Sequence, residues 1–96
     1  MARPNILYIL TDQQRHDTLG CYGNRQILTP HLDRLAAEGT VFDRCYTSSP
    51  ECVPARSVMM TGLPPHRTGC FSNGHAYQAD AATFMRLLRD AGYFTQ

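Results

Sequence analysis

Apolar residues fall into two periods along this chain. Ile6-Leu7-Tyr8-Ile9-Leu10 is a short, nearly continuous run, the pattern of a strand covered on both faces, and it predicts a buried β-strand over Asn5 to Thr11. The polar cluster Asp12-Gln13-Gln14-Arg15-His16-Asp17 ends it, and Gly20, Gly23 and Asn24 supply turn residues for an irregular loop. Thr29-Pro30 then predicts a helix start, Thr as N-cap and Pro at the first helical position. Leu32, Leu35 and Ala36 follow at helical spacing, and Gly39 stands where a left-handed C-cap belongs. Thr40 to Tyr46 has strand composition. Farther on, Asp80 is placed to cap a helix with Phe84, Leu87, Leu88 and Ala91 on its apolar face; Gly92 stops it and Tyr93-Phe94-Thr95 opens a further strand. Helix–Gly–strand therefore occurs twice, which predicts an α/β chain with a mostly parallel sheet. The chain stops as the last strand begins, so a truncated domain is expected.

Composition narrows the class. Of 96 residues, 43% are hydrophobic and 18% charged, with a formal net charge of +1. That balance excludes intrinsic disorder, and without a basic stripe no nucleic-acid partner is expected. The run Ile6 to Leu10 is far short of the roughly twenty residues that span a bilayer, and no small-residue cleavage site follows it. No membrane partner is expected, and the chain as it stands reads as cytoplasmic. Cys21, Cys45, Cys52 and Cys70 include no Cys-x-x-Cys pair, which argues against a structural zinc site. Cys21, Cys45 and Cys70 are read as buried or idle thiols.

The stretch that carries chemistry is Pro50-Glu51-Cys52-Val53-Pro54-Ala55-Arg56-Ser57-Val58-Met59-Met60-Thr61-Gly62. Pro54 suits the first position of a helix running to Met60 and ending near Gly62. Cys52 then falls just before that helix, beside its unpaired N–H groups and the positive end of its dipole. Arg56, one turn in, adds a fixed positive charge. Such surroundings activate a thiolate, but they also suit a structural thiol beside a helix cap. Local features leave both readings open.

The longer pattern resembles the sulfatase family. Cys52-x-Pro54-Ala55-Arg56 followed by Thr61-Gly62 is similar to its signature, and Asn5 to Asp12 resembles its opening strand and first metal carboxylate. Thr29 to Ala36 resembles its first helix, Gly62 to Gly69 its post-signature loop, and Gly92 to Thr95 the start of its second signature. The resemblance covers essentially the whole chain in unchanged order. It implies the N-terminal part of an alkaline phosphatase/sulfatase-like α/β fold, a mostly parallel sheet flanked by helices, with residues 1–96 as part of one catalytic domain.

It further implies that a formylglycine-generating enzyme oxidises Cys52 to formylglycine. The hydrated aldehyde would attack the sulfur of a small-molecule or glycan sulfate ester, and its second hydroxyl would release sulfate as the aldehyde reforms. Asp12, Gln13 and residue 52 are the implied metal ligands, for Ca2+ first and Mg2+ or Mn2+ as alternatives. Arg56 is the implied partner of the formylglycine oxygens, and Asn73 a contact for the substrate's oxygens, beside its plainer reading as an Asn-Gly turn residue. His66 and His75 are assigned to loop structure, because the family's leaving-group acid comes from later sequence. Three residues depart from the common pattern: Gln13, where many sulfatases carry a second aspartate, and Glu51 and Val53, where small or apolar residues are commonest. An Asp-Gln pair also occurs in the family and in its phosphonate monoester hydrolase relatives. A phosphonate or phosphate diester hydrolase using the same formylglycine therefore remains the alternative.

Overall fold

The computed structural model describes residues 3–75 and 80–96. The chain divides into two compact units, Met1–Asp43 and Arg44–Gln96. Four α-helices are present among the described residues: α1, Pro30–Glu38; α2, Cys52–Thr61; α3, Pro65–Thr68; and α4, Phe84–Asp90. No β-strand is present among them. No helix among them is long and apolar enough to cross a membrane.

The strands expected over Asn5 to Thr11, Thr40 to Tyr46 and Tyr93 to Thr95 are therefore not formed. A strand exists through the N–H and C=O groups it exchanges with a neighbour, and a parallel neighbour arrives from distant sequence. These segments have the composition without the ladder. Their side chains are correspondingly open, Leu7 at 85% exposed and Phe94 at 89%.

In the first unit, α1 begins where Pro30 locks φ for the first helical position. Thr29 is the N-cap by position, but its hydroxyl accepts no N–H of the helix. It accepts the Gly20 N–H at 2.8 Å and donates to Asp33 Oδ1 at 3.0 Å. Asp33 Oδ1 also accepts the Cys21 N–H at 2.7 Å. These bonds tie α1 to a 3-10 turn, Gly20–Tyr22. The approach is so close that a Cβ at Gly20 would meet the Asp33 carboxylate, which would have to shift away from the Gly20–Tyr22 turn. Asn24 closes the neighbouring turn as expected: its Oδ1 accepts the N–H groups of Gln26 and Ile27, and its Nδ2 donates to the Asp17 carbonyl. Arg15 hydrogen-bonds Asp17 and holds that exposed carboxyl below its ordinary range. Gly39 differs from expectation. It is extended, with φ −115° and ψ −152°, and ends α1 by donating its N–H to the Leu35 carbonyl.

The second unit holds the fully buried side chains, Pro54 of α2 and Cys70, with Ser57 and Thr68 nearly so. Helix α2 packs against α3 and α4. It starts two residues earlier than expected, with Cys52 as its first residue and Glu51 as N-cap. Pro54 is thus the third helical position. The first four N–H groups of a helix have no intrahelical partner, so proline is tolerated anywhere in that turn. Gly62, at φ +69°, ends α2. Helix α4 is capped by Thr83, whose Oγ1 accepts the Arg86 N–H at 3.2 Å, and not by Asp80 as expected. Its end is a paired closure around Gly92, with Tyr93 N–H bonded to Leu88 C=O and Gly92 N–H to Arg89 C=O. The hydroxyl of Ser57 is buried without a hydrogen-bond partner among the described residues.

Candidate active site

The candidate nucleophile opens α2. Ser49 Oγ accepts the Glu51 N–H at 3.3 Å, and the Glu51 carbonyl accepts the first intrahelical bond, from Ala55 N–H at 3.0 Å. Of the first-turn donors, Val53 N–H is taken by Asn73 Oδ1 at 2.9 Å and Pro54 has none to offer. The Cys52 N–H is left without a partner among the described residues. A half-buried side chain and an open donor therefore share the positive end of a ten-residue helix.

Cys52 and Arg56 are four residues apart in α2, on one face of the helix. Arg56 lies at the exposed surface and, with Val53, Ser57, Met60, Thr83 and Met85, lines an apolar hollow of about 320 Å3 between α2 and α4. The far end of α2 is tied off locally. Thr61 Oγ1 donates to the Ser57 carbonyl at 2.6 Å and accepts the Leu63 N–H at 3.2 Å.

Asn73 is brought to the same end of α2 by two bonds that cross between segments. Its side chain takes the Val53 N–H, and its own N–H donates to Glu51 Oε2 at 2.9 Å. Sequence reasoning had Asn73 as a substrate contact or a turn residue, and Glu51 as a departure from pattern. Their pairing was missed, since nothing in the spacing of residues 22 apart announces it. His75 is a loop residue, as expected. Its Nδ1 accepts the Ser72 N–H at 3.1 Å, with Ser72 Oγ at 2.7 Å, so in the neutral ring the proton sits on Nε2. His66 is exposed on α3. All four cysteines are free thiols, Cys70 buried but Cys21 and Cys45 exposed.

Asp12 and Gln13 belong to the first unit and sit in a bend. Gln13 has φ +50°, a left-handed conformation that costs a non-glycine residue about 1–2 kcal/mol. Strain of this kind collects at functional positions. A carboxylate and an amide oxygen at consecutive positions of a bend are hard donors that fit a cation such as Ca2+ or Mg2+. Two such donors do not by themselves complete a coordination shell. No group of three or more His, Cys, Asp or Glu residues is placed to hold a metal among the described residues.

Comparison with known proteins identifies the family. The sulfatase family model matches residues 4–96. The chain is 41% identical over 95 residues to the uncharacterized sulfatase YidJ of Escherichia coli (strain K12), covering 99% of this chain and 19% of the relative. It is 40% identical over 93 residues to an N-acetylglucosamine-6-O-sulfatase of Bacteroides thetaiotaomicron, covering 97% and 17%. It is 37% identical over 105 residues to the steryl-sulfatase of Homo sapiens, covering 98% and 18%. The chain belongs to the sulfatase family. It spans less than a fifth of the length of these relatives. No solved structure matches it.

Proposed function

We propose that the chain is the N-terminal portion of a sulfatase catalytic domain, and that the whole domain hydrolyses small-molecule or glycan sulfate esters with residue 52 as nucleophile. The observation that carries this reading is the intact Cys52-x-Pro54-x-Arg56 signature at the head of α2, with Cys52 half-buried and its N–H without a partner among the described residues. A formylglycine-generating enzyme is the partner that oxidises Cys52. As a hydrated aldehyde, residue 52 offers one hydroxyl for in-line attack on sulfur, forming a new S–O bond as the ester's S–O bond breaks and its alcohol leaves. The other hydroxyl allows sulfate to leave as the aldehyde reforms, a route closed to a thiol. The Cys52 N–H and Arg56 supply positive charge where the sulfate's oxygens gather. Asp12, Gln13 and residue 52 would hold a divalent cation, Ca2+ in the first instance with Mg2+ or Mn2+ as alternatives. When bound, the cation supplies the charge that favours the ionised hydroxyl.

In the whole domain, the apolar segments around Leu7, Phe42 and Phe94, open here, are strands of a mostly parallel sheet. The length of the relatives supports this, because such strands find their neighbours in distant sequence.

Gln13 after Asp12 favours a second reading, phosphonate or phosphate diester hydrolysis with the same formylglycine. Full-length protein co-expressed with a formylglycine-generating enzyme tests both. Hydrazide capture and peptide mapping should place an aldehyde at residue 52 and at none of the other three cysteines. Paired rates on an aryl sulfate and an aryl phosphonate then decide the substrate class, and an inactive protein carrying the aldehyde would reject both.

A further inference from the structure

The structure gives Glu51 a specific task. Its carboxylate accepts the Asn73 N–H at 2.9 Å, while the Asn73 side chain accepts the Val53 N–H, also at 2.9 Å. Glu51 is the N-cap of α2 and Val53 its second residue, so the two bonds grip Cys52 from both sides. The N-cap contributes no side-chain bond to its own helix. Capping is instead delegated to a residue of another loop, and Glu51 holds that residue in place.

We propose that Glu51 is a positioning residue for the nucleophile. Through the Asn73 backbone it sets the Asn73 side chain on Val53, and so fixes the head of α2 against the loop of residues 71–75. The same clasp orients the Asn73 amide. With Oδ1 committed to Val53, the Nδ2 hydrogens are the donors the side chain has left to offer. Ser72 N–H is committed to His75 Nδ1 on the other side of Asn73, so the loop that carries the clasp is bonded within itself as well. A negative charge at an N-cap also suits the positive end of the α2 dipole, which adds to the hold without defining its geometry. The bearing on turnover rests on the sulfatase reading above; the clasp itself does not.

Glu51→Ala and Glu51→Gln in the full-length protein test it, with conversion of residue 52 checked by peptide mass. Residue-resolved hydrogen–deuterium exchange reads the clasp directly. Glu51 makes no bond to Val53, so a local role would leave the Val53 amide untouched. The proposal requires that amide to exchange at least about threefold faster in Glu51→Ala and to recover in Glu51→Gln, whose amide oxygen still accepts from Asn73. On an aryl sulfate, kcat should fall about tenfold in Glu51→Ala with KM nearly unchanged, and return to within about threefold of the parent in Glu51→Gln. Unchanged Val53 exchange in Glu51→Ala, or failure of Glu51→Gln to restore it, overturns the proposal. A parent without sulfate-ester hydrolysis would overturn the sulfatase reading, and exchange at Val53 would still decide the clasp.

Discussion

The two units hold their candidate site residues by different means. In Arg44–Gln96, buried Pro54 and Ser57 anchor the helix that carries Cys52, and its head is clasped by Asn73 and Glu51. In Met1–Asp43 no described residue is buried. Order there comes from polar side chains on backbone groups, chiefly Asp33, Thr29 and Asn24, and these lie beyond the bend that carries Asp12 and Gln13. The candidate nucleophile is thus held by packing close to it in sequence. The candidate metal donors sit on a segment whose apolar flank, Ile6 to Leu10, is open to solvent.

Removing the central group of each unit should have the largest effect. In the full-length protein Cys52→Ala is expected to lower aryl sulfate turnover by more than about a thousandfold, and Asp12→Ala nearly as much at saturating Ca2+ or Mg2+. If Asp12→Ala stayed within about tenfold of the parent, the first unit would be scaffold alone. Next comes Arg56→Lys, which keeps the charge but loses the forked donors; a fall in kcat of about ten- to a hundredfold is expected. A lysine enzyme as fast as the parent would reduce Arg56 to a point charge.

Stability measurements sharpen the contrast between packed and hydrogen-bonded units. Gly20→Ala forces a methyl group against the Asp33 carboxylate, and thermal melting should show a loss of about 1–3 kcal/mol. A neutral result would mean that the bonds from Gly20, Cys21 and Thr29 tolerate a shift of α1. The smallest change is expected for Gln13→Gly. Relief of its left-handed strain should stabilise the protein by about 1 kcal/mol. Turnover should nonetheless drop, with a higher cation concentration needed for half-maximal rate. Stability gained with cation dependence unchanged would remove Gln13 from the metal site.

The residues that govern short-range geometry were legible from the chain alone. Pro30 starts α1, Gly62 and Gly92 end α2 and α4 in left-handed turns, and Asn24 closes its turn. Each depends on φ preferences or bonds within a few residues, which sequence displays directly. The signature around Cys52 was legible for the same reason, since its residues share one helical turn or the next. The start of α2 was placed two residues late because proline's fitness for a first turn does not say which position in that turn it fills.

Capping and pairing across segments needed the tertiary structure. Thr83 and not Asp80 caps α4, Thr29 bonds Gly20 and Asp33 through its hydroxyl and not a first-turn N–H of α1, and Glu51 reaches Asn73 22 residues along. The strands expected at Asn5 to Thr11, Thr40 to Tyr46 and Tyr93 to Thr95 belong with these. Apolar composition sets a preference for a covered sheet, but the backbone becomes a strand when another segment accepts its hydrogen bonds. Sequence by itself therefore determined that α1, α2 and α4 form, the glycines that stop α2 and α4, and the family of this protein, all local or written in residue order. Tertiary structure alone decided which polar groups meet, because a hydrogen bond between distant residues depends on where the intervening chain brings them.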